Sequence, residues 1–418
     1  MLAESAGQTG GTAGGGSGET GGTAGGGSGD LPLAGVRVVE FAHVAAGPFA
    51  GMLLADLGAD VVKVEPPSGD QMRGWPPFAV SDDGEDRFSH NFASLNRNKR
   101  SLVADLKDPA ARDRVLALLG EADVVVENYR PGVLDRLGLG YDAVSGARNP
   151  AGGGVVYCSI SGFGLSSPYV DAGAYDVVIQ GMSGLMAVTG ERDGGPVKCG
   201  VPVGDFTAGL YAAFTIAAVL PSVRSSGRSV RIDCPMLDCL LATSALQTSE
   251  FWGSGNPGER LGTAHPRNAP YQAFEASDAT FTVAAGNDRL WREVADEVGL
   301  PGLVDDPRFA TQAARVKHQV ELAGLLQERF RGRTAAQWLE ALRARGIPCG
   351  PVNTFADILD DEHVRVTGLV QELKVPVAGA VPTIVHPARI LGLPSRLDRS
   401  APVLGADTDE VFADWGVA

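Results

Sequence analysis

From Leu31 onward the chain alternates short valine-rich runs with longer stretches of helical period. "VRVVEF" (36–41), "DVVKVE" (60–65), "DVVVEN" (123–128) and "GVVYCSIS" (154–161) are near-continuous apolar runs of strand length. Between them, "PFAGMLLADLG" reads as a helix opened by Pro48 and stopped at Gly58. A second helix falls at about 109–119, and a short one follows Pro131. Strands that are apolar on both faces and separated by helices are parallel and covered on both sides. The pattern therefore predicts an α/β, Rossmann-like, doubly wound large domain over residues 31–225.

Near residue 226 the pattern changes. "SSGRS" is a polar turn, "VRIDCPMLDCLLATSALQ" reads as a strand running into a helix, and "GSGNPGERLG" is a loop. Two short strand candidates, "YQAFEA" and "ATFTVAAG", precede three charged helices between 288 and 345. Residues 226–345 thus read as a smaller α+β domain, and 346–418 as a segment returning to the large one. Residues 1–30 carry "TGGTAGGGSG" twice, a composition too poor in apolar groups to order, and read as a disordered tail.

Composition narrows the function. A formal charge of −15 and a pI near 4.9 argue against nucleic acid or an anionic membrane as partner. Cys158, Cys199, Cys234, Cys239 and Cys349 form no C-x-x-C pair, so neither a disulfide framework nor a metal site is indicated. The apolar stretches read as too interrupted by glycine and charge to span a membrane, and no secretory leader pattern is present. A cytoplasmic protein is expected. The first strand–helix turn, "AHVAAGP", lacks G-x-G-x-x-G, so a dinucleotide cofactor is not supported, and no permanently bound cofactor is expected.

One carboxylate carries the candidate chemistry. Asp205, in "VGDFTAGLYAAF" (203–214), precedes a long apolar run, and no histidine lies between His90 and His265. By spacing alone it reads as the N-cap of the helix that follows. The other reading is a nucleophile, since a carboxylate is already ionised at neutral pH and needs no general base. A helix start suits the charge in either case.

Several blocks in order resemble one family. "LAGVRVVEFAHVAAGPFAGMLLADLGADVVKVEPPSGDQMRGW" (33–75), "NRNKRSLVADLKDPAAR" (96–112), "VVENYRPGVLDRLGLGYD" (125–142) and "YCSISGFGLSSPYVDAGAYD" (157–176) are similar to class III CoA-transferases (CaiB/BaiF). "VGDFTAGLYAAF", "GTAHPRNAPYQAF" (262–274) and "GIPCGPVN" (346–353) continue the resemblance, which is strongest to the succinate–hydroxymethylglutarate type. It implies transfer of CoA from an acyl-CoA to a free carboxylic acid through mixed anhydrides and an aspartyl-CoA thioester, with Asp205 as nucleophile. It also implies a homodimer of two interlocked rings.

The matching positions for CoA are Ala45 and Ala46; Ala104, Asp105, Leu106 and Lys107; Asn128, Tyr129 and Arg130; Arg136; and Gly173, Ala174, Tyr175 and Asp176. Lys107, Arg130 and Arg136 offer charge for phosphates. Arg97, Lys99 and Arg100 form a further basic run, read either as a local offset to the acidic total or as ion pairs with carboxylates on the sheet's rim.

Racemases of the family carry histidine where this chain has Tyr175, a poor substitute for imidazole, so racemisation is the weaker alternative. A non-catalytic CoA-binding protein is the other. Formyl-CoA transferases carry glutamine at the position of Ala45, arginine at that of Pro66, and a glycine run where this chain has "AHPRNAP". A short dicarboxylate or branched acid is therefore expected in preference to oxalate. His265, in the same loop, reads as structural.

Overall fold

The computed structural model describes residues 31–148, 153–377, 379–393 and 395–417; the expected tail, 1–30, lies outside them. Six strands form one parallel sheet: β1 (Arg37–Phe41), β2 (Asp60–Glu65), β3 (Lys99–Val103), β4 (Val124–Glu127), β5 (Val156–Ser161) and β6 (Val230–Pro235). Their spatial order is β3-β2-β1-β4-β5-β6. This is the Rossmann order, and it reverses between β1 and β4, where Val38 lies opposite both Val61 and Val124. The expected α/β class holds.

Alternate strand residues feed two buried layers. Val38, Val61, Val124 and Cys158 pack against the helices α1 (Ala46–Asp56) and α2 (Val203–Ser226). Val39, Val62, Val125 and Tyr157 face Val115 and Leu118 of the helix Pro109–Gly120, and Val411, Phe412 and Trp415 from the chain's C-terminal segment. Valine on both faces of one strand is what a sheet covered on both sides requires.

Two strands depart from expectation. β3 carries Lys99 and Arg100 and shows no apolar run, yet both side chains are buried because each meets a carboxylate. β6 was expected to open the small domain, but it pairs with β5 from Val156–Val230 to Ser161–Pro235. Gly227, at φ +69°, ends α2 and turns the chain back into the sheet, so the boundary expected at 226 cuts off a sheet strand.

A second core spans Ala269–Ile347, with Phe274, Phe281, Trp291, Phe330 and Trp338 at its centre. There β7 (Tyr271–Glu275), β8 (Thr280–Ala284) and β9 (Cys349–Pro351) form an antiparallel sheet ordered β9-β8-β7. Among the described residues four α-helices, rather than the expected three, surround it, because Gln312–Lys317 and Gln319–Phe330 are separate. Further on, Leu373, Val375, Val381 and Ala401 pack with Ala45, Met52 and Phe92.

Among the described residues, α2 is long and apolar enough to cross a membrane, contrary to the sequence reading of the apolar stretches. It is packed on the sheet through Ala208, Ala212, Ile216, Leu220 and Val223, which makes it a core helix here.

Candidate active site

In sheets of this order, ligands enter the crevice outside the carboxyl ends of the strands at the reversal point. Here that crevice begins at the turn from β1 into α1. The Asn128 side chain, just past β4, accepts from His43 N–H (3.0 Å) and donates to the His43 carbonyl (2.9 Å). The His43 ring lies 5.3 Å from that of Tyr129, and burial holds its imidazole below the usual range.

The next element, α1, meets α2 closely. A Cβ at Gly209 would lie 2.7 Å from the Ala46 carbonyl oxygen, and the Phe206 and Phe49 rings touch edge to face at 4.8 Å. Glycine at 209 is therefore what lets the two helix starts approach.

Asp205 sits in the first turn of α2. The cap position belongs to Pro202, with no side-chain cap, so the N-cap reading of Asp205 is corrected: it lies three residues further in. Asp176 performs the capping from another segment. Its Oδ1 accepts from Gly204 N–H (2.8 Å), and its Oδ2 accepts from Gln180 Nε2 (2.6 Å). Gln180, fully buried, accepts in turn from Cys199 N–H (2.8 Å), tying down the loop that leads into α2.

Among the described residues no hydrogen bond or ion pair engages the Asp205 carboxylate. Burial, with the neighbouring Asp176 carboxylate adding to it, pushes its pKa up to about 6. Gln180 went unnoticed in the sequence, where nothing distinguishes a buried bridging glutamine from a surface one.

The residues expected to meet CoA divide into groups. A cleft of about 380 Å³ at the ends of β2, β3 and β4 is walled by Glu65, Pro66, Ala104, Asp105, Leu106, Lys107, Tyr129, Val133, Arg136 and Leu137. Lys107, Arg130 and Arg136 are exposed, and among the described residues no carboxylate pairs with them. Gly173 approaches Arg130, and Gly162 at the end of β5 leaves room for the Ala174 methyl, which a Cβ there would meet at 2.1 Å.

Other positions lie elsewhere. Ala45 and Ala46 are buried at the start of α1, and Asp205 lies outside the cleft's walls. Tyr175, 77% exposed, stands free of the site's packing, and Asp176 is engaged with Gly204 and Gln180.

The basic run is taken up in ion pairs. Arg97 pairs with Asp56 (2.6 Å), Lys99 with Glu40 (2.8 Å), and Arg100 with Asp60 (2.5 Å) and Asp414 (2.8 Å). The expected ion pairs with carboxylates are present, but not all at the sheet's rim: Glu40 is buried on the central strand β1 and Asp56 is buried in α1. His265 stacks on Tyr271 at 4.8 Å, and its Nδ1 accepts from Arg267 N–H (3.0 Å).

A Rossmann-order sheet with a cleft at the ends of β2, β3 and β4, edged by the exposed cations Lys107 and Arg136, is an arrangement that suits a nucleotide-bearing ligand. The chain belongs to CoA-transferase family III, whose model matches residues 33–408, and it is accordingly a CoA-transferase. It is 40% identical to a succinate–glutarate CoA-transferase of Agrobacterium fabrum, over 92% of this chain and 95% of that protein. It is 36% identical to an acetyl-CoA:oxalate CoA-transferase of Acetobacter aceti, over 78% of this chain and 82% of the relative. The solved structure of a CaiB/BaiF family protein from Brucella suis matches with a TM-score of 0.82 at 38% identity, covering 92% of this chain and 99% of that one.

Proposed function

We propose that the protein moves CoA from succinyl-CoA, or a similar acyl-CoA, to a short dicarboxylate of the glutarate kind, with Asp205 as covalent carrier. The observation that carries this is the state of Asp205: part-buried, at a helix start, and with no donor on its carboxylate among the described residues. A carboxylate whose pKa is raised to about 6 stays ionised at neutral pH and is more nucleophilic than an exposed aspartate.

Asp205 attacks the thioester carbonyl, and CoA thiolate leaves to give a mixed anhydride. The thiolate attacks the Asp205 carbonyl and expels the donor carboxylate, leaving an aspartyl-CoA thioester. The acceptor carboxylate attacks that thioester and again releases thiolate, which then attacks the acceptor's acyl carbonyl. Asp205 departs as carboxylate. Each step exchanges one anionic nucleophile for one anionic leaving group, so no proton moves and no metal or redox cofactor is needed.

In this reading Lys107, Arg130 and Arg136 meet the CoA phosphates, the 104–107 segment and Tyr129 wall the nucleotide cleft, and Ala45 and Ala46 face the thiol end. Ala174 and Gly173 line the approach, while Asp176 acts on the nucleophile's turn. The exposed apolar side chains Leu210, Tyr211 and Phe214 on α2, with Phe251 and Trp252, support a dimer that covers them. Racemisation gains no support, since position 175 is tyrosine.

The preference for a glutarate-type acceptor follows the greater identity to the succinate–glutarate relative and its fuller coverage. Chromatography of acyl-CoA products from succinyl-CoA with glutarate, adipate or oxalate tests the reading. Glutaryl-CoA as main product supports it. Product from oxalate alone, or none from any acid, would sink it.

A further inference from the structure

Consecutive backbone groups in the turn from β1 into α1 are held by side chains from other elements. Lys63 Nζ, on β2, donates to the Ala42 carbonyl (2.5 Å). Asn128 takes both His43 groups, and Asp70 Oδ1 accepts from Val44 N–H (3.4 Å) and Met72 N–H (2.9 Å). Val44 stands at φ +63°, in the left-handed region. A β-branched residue there is sterically disfavoured, whereas glycine would adopt the angle freely. The turn therefore keeps its shape because other groups impose it.

Those groups belong to a buried ionic network. Lys63, 0% exposed, lies 3.0 Å from both Glu40 Oε1 and Asp70 Oδ2. Lys99 Nζ contacts Glu40 Oε2 (2.8 Å), the Pro48 carbonyl (2.8 Å) and Asn96 Oδ1 (2.9 Å). Gly51 on α1 makes the space, since a Cβ would stand 2.0 Å from Glu40 Oε2. Apolar residues of equal volume can stabilise a core as well as such a network does. What the charges add here is a fixed turn. That turn feeds into Ala46, whose carbonyl touches α2 at Gly209.

We propose that Lys63 and Asp70 are positioning residues of the transfer reaction, clamping Ala42–Val44 so that the start of α1 presents the thioester to the helix bearing Asp205. The proposal rests on the transferase reading. An error of about an ångström in such a position can cost two orders of magnitude in rate.

The test uses the full chain with Asp70→Asn, Val44→Gly and the double variant. It reads KM and kcat for succinyl-CoA, the Kd for CoA by calorimetry, and the thermal midpoint. Asp70→Asn should lower kcat by about two orders of magnitude and raise both KM and Kd about tenfold. Val44→Gly, which removes the steric cost of the turn's angle so that it no longer has to be imposed, should bring the double variant back to within about threefold of the parent.

If Asp70→Asn is too unstable to purify, Asn128→Ala with and without Val44→Gly carries the same test, with the same rise and rescue expected. A lowered midpoint with unchanged kcat, KM and Kd would overturn the proposal, as would a loss that glycine at 44 does not relieve. The calorimetric Kd is independent of turnover. A parent protein with no exchange but a glycine-rescued Kd would therefore sink the transferase reading and leave the clamp standing.

Discussion

The buried pair Glu40 and Asp70 and the part-buried Asp205 lie near the same end of the sheet and are treated in opposite ways. Glu40 and Asp70, beneath the β1–α1 turn, are each met by a lysine ammonium at 2.8–3.0 Å. Burial alone would raise the Asp70 pKa, but Lys63 and the hydrogen bond from Met72 N–H outweigh it and hold it low. Asp205, at the start of α2, receives no such partner among the described residues, and burial raises its pKa to about 6. The paired carboxylates have their charge fully engaged and serve the scaffold. The carboxylate of Asp205 has no such engagement among the described residues, which under the proposed mechanism leaves its lone pairs for the thioester, at a cost in stability.

Breaking either side of that contrast has a measurable result. The largest effect should be on activity: Asp205→Asn, isosteric but non-nucleophilic, should lower kcat for CoA exchange by at least about 10⁴-fold. Lys63→Met leaves Glu40 with Lys99 alone and strips Asp70 of its ammonium partner, and should destabilise the fold by about 3–5 kcal/mol in urea unfolding.

The same Asp205→Asn change should stabilise the protein. The folded pKa of about 6 lies above the ordinary 3.8, so the folded chain binds the proton more tightly than the unfolded one. That contribution is fully present below pH 3.8 and is lost as pH rises through 6, where ionised Asp205 strains the fold. At pH 8 the asparagine variant should therefore be more stable than the parent by about 1–3 kcal/mol, a gap that closes towards pH 4. Unfolding midpoints at the two pH values check this. The smallest change expected is at the exposed cations: Arg136→Ala in the cleft wall, or Arg130→Ala beside Gly173, should raise KM for acyl-CoA about tenfold, less at high salt, with kcat little altered.

Valine periodicity gave four sheet strands to within two residues at either end, because strands buried on both faces leave no polar interruption to confuse the reading. It missed β3, whose Lys99 and Arg100 are buried through ion pairs with Glu40, Asp60 and Asp414, partners distant in sequence. It assigned β6 to the wrong unit because strand pairing across 74 residues, Val156 with Val230, leaves no local trace. Asp205 was found through neighbouring motifs; its role as a cap, suggested by local spacing, gave way to Pro202 and to Asp176 reaching in from 28 residues away. Lys63, Asp70 and Gln180 were invisible for the same reason, since charge and polarity read as surface until a partner is placed beside them.

The most direct test of Asp205 as the carrier is chemical trapping. Succinyl-CoA is added to the full chain with hydroxylamine, and the peptide containing Asp205 is examined by mass spectrometry, with Asp205→Asn alongside. The account predicts a hydroxamate on Asp205 that requires the acyl-CoA and is absent from the variant. Continued CoA exchange by the asparagine variant, or a hydroxamate on another residue, would contradict it.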